Sequence, residues 1–253
     1  MRLLTLNIRF GAGSASPEKP GYDLPIDAGK LAALADAIRA MQPDVAALQE
    51  VYNATQAQRL ADVLRMRVVY ARHPSSYSLD FFEWGLAFLH DSETIRTHLH
   101  SIDFDMDRRA GRNALIATLA VDGNPVTFLN VHLAPGHTNR QIAAMLSLTD
   151  TIEEPLVIMG DFNCRPDDPA MEPIRSRWTD TCQAVTHDAA REAEAVGTVL
   201  HKQERIDYVF VDPRHFIVEA VGLAPAAHRL ISDHLGYFAD VRLKGRERPI
   251  RSL

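Results

Sequence analysis

Ile158-Met159-Gly160-Asp161-Phe162-Asn163 ends a strongly apolar stretch that begins at Pro155, stopping it on a glycine and then an aspartate and an asparagine two residues apart. A buried strand ends this way when it delivers polar groups to a sheet edge. Four other strand-like segments finish alike, at Asn7, Glu50, His132 and the pair Asp233-His234. Apolar runs that each end on a carboxylate, amide or imidazole predict one hydrolytic site assembled from distant parts of the chain.

The 253 residues are 46% hydrophobic and 24% charged, ordinary values for a globular protein. That length buries a sizeable core without disulfides. The two cysteines, Cys164 and Cys182, make no framework, lack metal-ligand spacing and fit a reducing compartment. Cys164 reads either as a neighbour of the Asp161/Asn163 pair or as a small apolar filler. The net charge of -6 argues against a broadly basic nucleic-acid face, yet local arginines and a metal ion can still hold phosphates. No run reaches the roughly 18 apolar residues of a membrane span, and Met1 to Asn7 shows no apolar stretch followed by a small-residue cleavage site. The expectation is a cytoplasmic protein with no stable membrane insertion and no evident obligate protein partner.

Periodicity predicts one domain over residues 1–243 and a charged tail over 244–253. Strands are expected over Leu3–Phe10, Val45–Val51, Arg67–Ala71, Gly85–Leu89, Leu156–Asp161, Ile206–Val211 and Leu235–Leu243. Ala114–Val121 and Pro125–Leu133 flank Asp122-Gly123-Asn124, a hairpin signal, so the sheet is not all parallel. Asp27 is placed to cap a helix with Leu31, Leu34, Ile38 and Met41 on one face. Further helices are expected over Thr55–Leu64, Asn139–Thr151 and Ala170–Arg177. Gly11–Pro25 and His73–Phe82 read as loops, and Ala184–Gln203 as polar and irregular. Helices covering the outer faces of two packed sheets account for this mixture.

Each candidate residue has a bland alternative. Glu50, at the end of an apolar strand, reads as a hard-metal ligand, or as a surface charge or helix cap. Asp233 is a second candidate carboxylate. Adjacent residues point to opposite sides of an extended chain, so Asp233 can face a metal while His234 faces the reacting group. Asp207 lies inside a strand, on the face opposite Ile206, Tyr208 and Phe210. Buried there it needs a partner, either His234 or an arginine. Asp161 and Asn163 read as a pair for holding water and a phosphate oxygen, or as an Asx turn. His132 and Asn7 are ambiguous alone. The other histidines, His73 among them, have no such context.

Taken jointly and in this order, Asn7, then Leu48-Gln49-Glu50, Asn130-Val131-His132, Gly160-Asp161-Phe162-Asn163, Arg205-Ile206-Asp207-Tyr208 and Ser232-Asp233-His234 strongly resemble the endonuclease/exonuclease/phosphatase family, the deoxyribonuclease I-like fold. The resemblance runs from Leu3 to about Val241. It implies a four-layer α/β/β/α sandwich of two mixed sheets with helices outside, and a phosphoester hydrolase using Mg²⁺ or Mn²⁺. It implies that Glu50, Asn7 and Asp233 serve the metal. His132, Asn163 and His234 would bind and stabilise the scissile phosphate, Asp207 would orient His234, and Asp161 would orient or deprotonate the attacking water. Arg112 matches a position where members often place a phosphate-contacting cation, though a surface arginine fits nearly as well. Some DNA-repair members carry an aspartate where this chain has Arg9, which points away from the abasic-site nucleases.

The expected activity is in-line hydrolysis of a phosphodiester, with nucleic acid among the candidate partners. The alternatives are a lipid-headgroup or small-molecule phosphodiesterase or phosphatase, and an inactive binding module of the same fold. The filled constellation argues against the inactive module. An ordinary nucleotide-binding α/β protein would need a Gly-rich phosphate loop that the chain lacks.

Overall fold

The computed structural model describes residues 1–13, 28–73, 84–101 and 112–245. In chain order the strands are β1 (Arg2–Asn7), β2 (Val45–Val51), β3 (Arg67–Arg72), β4 (Gly85–His90), β5 (Glu93–Ser101), β6 (Asn113–Val121), β7 (Asn124–His132), β8 (Leu156–Asp161), β9 (Thr179–Asp180), β10 (Asp207–Val211), β11 (Phe216–Leu223) and β12 (Tyr237–Leu243). The helices are α1 (Ala28–Met41), α2 (Ala54–Leu64), α3 (Thr138–Thr149), α4 (Glu172–Arg175) and α5 (Asp188–Val196).

Two six-stranded mixed sheets form, ordered β11-β12-β1-β2-β4-β3 and β5-β6-β7-β8-β10-β9. Their inner faces share one apolar core, with Phe88 and Phe128 edge to face at 6.3 Å. The outer face of the first sheet packs against α1 and α2 through Leu4, Leu6, Leu48, Leu34 and Ile38. The outer face of the second packs against α3 and α4 through Leu129, Ile158, Phe210, Met145 and Ile174. The result is the expected four-layer α/β/β/α sandwich. Helix α5 lies against β11, with Ala190 and Ala193 in the inter-sheet core.

The inner rows change character along the strands. Leu3-Thr5-Asn7, Val45-Ala47-Gln49, Val126-Phe128-Asn130-His132 and Val157-Met159-Asp161 each run from apolar to polar at period two. β1 pairs parallel with β2, and β7 parallel with β8, so these polar ends arrive on one side. β10 runs antiparallel to β8 and sets Asp207 opposite Asp161. One end of the sandwich is therefore built of polar strand termini.

Several expectations need correction. The first strand stops at Asn7, not Phe10, because Arg9 and Phe10 take φ of 44° and 58°, values that break an extended chain. The helix expected over Ala170–Arg177 is a 3-10 turn, Pro169–Met171, followed by α4. The stretch read as irregular contains α5. Strands β5, β9 and β11 were not expected, although the apolar, β-branched run Phe216–Leu223 carries a signal for β11. β5 is an exposed edge strand with no buried residue among Glu93 to His100, so it lacks the alternation that betrays a half-buried strand. The Asp27 cap, most of the two loops, and the tail from residue 246 onward lie outside the described residues. No helix among the described residues is long and apolar enough to cross a membrane.

Gly160, just before Asp161, has φ of 146°, and a Cβ there would lie 2.0 Å from the Val131 carbonyl oxygen. Its absence lets β7 and β8 approach beside the site. Gly160→Ala should destabilise the fold by about 3 kcal/mol, a fall in Tm of roughly 6–12 °C by calorimetry. An unchanged Tm would show that the contact relaxes freely.

Candidate active site

Asp161 is the centre of the polar end. Its Oδ2 accepts a hydrogen bond from Asn7 Nδ2 at 3.1 Å and lies 3.5 Å from His132 Nε2 and 3.8 Å from His234 Nε2. Its Oδ1 accepts the Asn163 N–H at 2.9 Å. Burial and the nearby Asp207 carboxylate raise its pKa to about 7, against the opposing pull of His234 and the Asn7 hydrogen bond.

His234 Nδ1–H donates to Asp207 Oδ2 at 2.8 Å. Burial alone would depress the imidazolium, but Asp207 and Asp161 outweigh it and hold its pKa at about 10. Asp207 lies on β10, and its backbone N–H donates to Thr198 Oγ1 at 3.1 Å. The alternative partner, an arginine, is committed elsewhere: buried Arg205 pairs with Asp180 at 2.7 Å. Ser232 Oγ–H donates to the Asn7 carbonyl at 2.7 Å and ties the Ser-Asp-His segment to β1. Ligand atoms of Asp161, Asp207 and His234 lie within 4.8 Å of one another, a spacing a metal ion can use. With His234 protonated the trio is an ion-pair cluster, and a metal ion binding there would have to displace the imidazole proton.

The oxygen donors collect around Glu50. In a regular β2 its side chain would follow Ala46 and Leu48 toward the helices. Instead the β2–β4 register shifts between Leu48 and Val51, and Glu50 takes φ of 52°. An extra residue in one strand reverses the facing of the residues after it, and Glu50 turns to β1. Its Oε1 accepts from Asn7 Nδ2 at 3.1 Å. The Arg9 N–H donates to Asn7 Oδ1 at 3.0 Å, which fixes which way the amide points. Asp233 faces Arg9 at 3.5 Å, and its Oδ1 lies 3.3 Å from the Ser232 hydroxyl oxygen. Burial and Asp233 raise the Glu50 pKa, opposed by Asn7, His234 and Arg112. The Glu50 and Asp233 carboxylates are oxygen donors of the kind that suits Mg²⁺ or Mn²⁺, and Asn7 turns its Nδ2 toward Glu50 and its Oδ1 to the Arg9 N–H.

On the other side, burial and then the Arg112 charge hold His132 well below its usual pKa, so it is neutral. Its ring meets Trp84 at 5.5 Å and His73 at 6.2 Å. The Arg112 guanidinium lies 4.7 Å over the Trp84 ring, and the residue is buried, so the surface reading of Arg112 fails. Asn163 is not extended. Its φ is 46°, its N–H closes an Asx turn on Asp161, and its Nδ2 donates to the Leu133 carbonyl at 2.9 Å. The turn and the site are one feature. Cys164 is a buried filler, its thiol pushed up to about 12 by burial and Asp168.

The structure thus brings together Asn7, Glu50, Arg112, His132, Asp161, Asn163, Asp207, Asp233 and His234. Sequence reasoning missed His73 and the use made of Trp84. His73 Nδ1 accepts the Asn113 N–H at 3.1 Å. Neither residue ends an apolar run, so no local pattern marks them. In the sequence Tyr77, Phe81, Phe82 and Trp84 read either as contacts for bases or lipid or as aromatics packing a loop onto the domain; the first three lie outside the described residues, and Trp84 packs against His132 and Arg112.

The sequence model described as the Endonuclease/Exonuclease/phosphatase family matches residues 4–234. Among solved structures, a functionally unknown conserved protein from Enterococcus faecalis V583 superposes with a TM-score of 0.77 at 19% identity, covering 96% of this chain and 100% of that one. An endonuclease/exonuclease/phosphatase from Beutenbergia cavernae DSM 12333 gives 0.76 at 22%, covering 97% and 72%. The human nocturnin catalytic domain with bound sulfate gives 0.74 at 20%, covering 96% and 93%. At such identities the likeness establishes the fold. No curated protein sequence matches the chain significantly.

The His234 pKa, about 10, stands above its ordinary value of 6.5. The stabilisation from the raised His234 pKa, taken alone, is therefore present below about pH 6.5 and lost as pH rises through about 10, while the share due to the Asp161 carboxylate falls away as that group protonates below about 7. In metal-free protein, NMR titration of the His234 ring should give a midpoint near 10, and Asp207→Asn should lower it. A wild-type midpoint near 6.5 contradicts the ion-pair assignment.

Proposed function

The chain belongs to the endonuclease/exonuclease/phosphatase family, whose members are phosphoester hydrolases, and from that premise we propose that it is a divalent-metal-dependent phosphodiesterase. The observation that carries this reading is the convergence on Asp161. A carboxylate raised toward neutrality shares one small volume with a neutral imidazole, an imidazolium held by a second carboxylate, and an amide.

Glu50 would hold the cation, with Asp233 and the Asn7 amide beside it. A bound Mg²⁺ or Mn²⁺ supplies Lewis-acid polarisation of a phosphoryl oxygen and charge neutralisation. Asn7 also keeps the Glu50 and Asp161 carboxylates apart by donating to both. Asp161 orients the attacking water and takes its proton, a role for which a pKa near the working pH is suited. The water oxygen bonds to phosphorus in line as the opposite ester bond breaks, and the departing oxygen is protonated from solvent. His234, held charged by Asp207, offers Nε2–H to the oxygens that gain charge. Neutral His132, the remaining N–H of the Asn163 amide and Arg112 complete that set. Preorganised donors aimed at developing charge are usually the largest single contribution to such catalysis.

A net charge of -6 gives no strong long-range attraction to duplex nucleic acid. The substrate is therefore a phosphodiester in a nucleic acid or a small molecule, taken without strong duplex-sequence specificity. The test is a hydrolysis panel of bis-p-nitrophenyl phosphate, single- and double-stranded DNA, RNA, sphingomyelin and inositol phosphates, with Mg²⁺, Mn²⁺ or excess chelator. Chelator should abolish activity. Glu50→Gln should weaken metal dependence and rate together, and His234→Ala should cost about 100-fold or more in kcat. Full activity in chelator defeats the metal reading, and cleavage of monoesters alone replaces the diesterase with a phosphatase.

A further inference from the structure

Behind the catalytic layer lies a fully buried amide bridge between the two sheets. Asn130 on β7 donates through Nδ2 to the Leu48 and Ala87 carbonyls of the opposite sheet, both at 3.0 Å. Its Oδ1 accepts from Gln49 Nε2 at 2.8 Å. Gln49 Nε2 also lies 3.1 Å from the Ala47 carbonyl and 3.2 Å from Thr5 Oγ1. Asn130 and Gln49 are both 0% exposed. A primary amide between packed sheets is costly unless satisfied, and here it is satisfied by backbone of the other sheet.

The carbonyls it meets mark a particular place. Leu48 and Ala87 are the last paired residues before the β2–β4 register slips, and the next pair is Val51 with Gly85. Gln49 and Glu50 are the residues of the bulge. Gln49 keeps its inward direction, its carbonyl accepting the Ile8 N–H at 3.0 Å, and Glu50 takes φ of 52°. A strained φ persists only where surrounding contacts over-determine it.

We propose that Asn130 is a positioning residue: by capping the Leu48 and Ala87 carbonyls and gripping Gln49, it holds the β2 bulge that turns Glu50 away from the helices and into the site. It touches no substrate and acts through Glu50. The inference rests on the reading of Glu50 as the principal metal carboxylate.

The test is a double-mutant cycle on Mn²⁺ affinity, read by electron paramagnetic resonance on the full-length protein, with Asn130→Leu, Asn130→Ser, Glu50→Gln and the combinations. Leucine keeps the volume without the donors. Serine keeps one donor if leucine proves too disruptive to fold. The His234 ring titration reports whether the Asp161–His234–Asp207 half of the site survives. Asn130→Leu is expected to weaken Mn²⁺ binding by about 10- to 100-fold, to leave the His234 midpoint in place, and to add nothing once Glu50 is glutamine. Its crystal structure should show Glu50 leaving the positive-φ region. Unchanged Mn²⁺ affinity in a folded Asn130 variant, or additive losses in the cycle, overturns the proposal. If Glu50→Gln itself leaves Mn²⁺ affinity unchanged, the metal assignment fails first, and the Glu50 backbone conformation in the Asn130 variant still decides the positioning claim.

Discussion

A charged imidazole held between two buried carboxylates is the interaction on which the active end depends. Removing an ion from water costs several kcal/mol even after relaxation. His234 remains an imidazolium because Asp207 sits at its Nδ1 and Asp161 near its Nε2. The surrounding groups are arranged to support that pair of contacts. Thr198 holds the Asp207 backbone, Ser232 clasps the Asn7 carbonyl, and Asn7 and Asn163 each donate to Asp161. Loss of any partner would leave a buried charge short of its compensation, so the cluster is rigid by necessity. Rigidity of this kind is what electrostatic catalysis requires.

The passage from apolar core to reactive layer is graded. Phe88 and Phe128 fill the middle, the Thr5, Gln49 and Asn130 layer lies beyond them, and the carboxylates and imidazoles come last. The amide layer carries no net charge, yet it offers the backbone the hydrogen bonds that the bulge leaves open. Just beyond it Glu50 and Asn163 take φ of 52° and 46°, two of the eight non-glycine residues with positive φ among the described residues. Both belong to the proposed chemistry, and such backbone persists where surrounding contacts hold it. The buried Arg205–Asp180 pair has a different task. It joins the start of β10 to β9 and, through Glu194, to α5, anchoring the strand that carries Asp207.

The aromatic wall gives the site an unequal distribution of charge. Arg112 rests over Trp84, and its charge reaches both His132 and Glu50. Burial first, and then the Arg112 charge, keeps His132 neutral, while Asp207 and Asp161 keep His234, a few ångströms away, charged. Two histidines around one carboxylate thus hold different protonation states, and what sets His234 apart is the second carboxylate, Asp207, bonded at its Nδ1. Separating the states of neighbouring groups in this way is how a single site divides its acid–base roles.

Sequence alone determined most of the core strands, the faces they bury and the residues that end them, because burial on one face leaves a period of two and a polar terminus that can be read directly. It also sufficed for the order of motifs, from Asn7 to His234, that marks the family. It did not reveal β5, which is too exposed, or β9, which is too short, to leave that period, and it passed over β11, an apolar run without a clean alternation. Nor did it reveal the bulge at Glu50, the partner chosen by Arg205, or the approach of His73, Trp84 and Arg112 to His132. Those depend on contacts between residues far apart in the chain, and a one-residue change of register is invisible in composition. Strand parity read from the sequence would send Glu50 toward the helices. Only the packing of one sheet on the other, through Asn130 and Gln49, turns it to face the site.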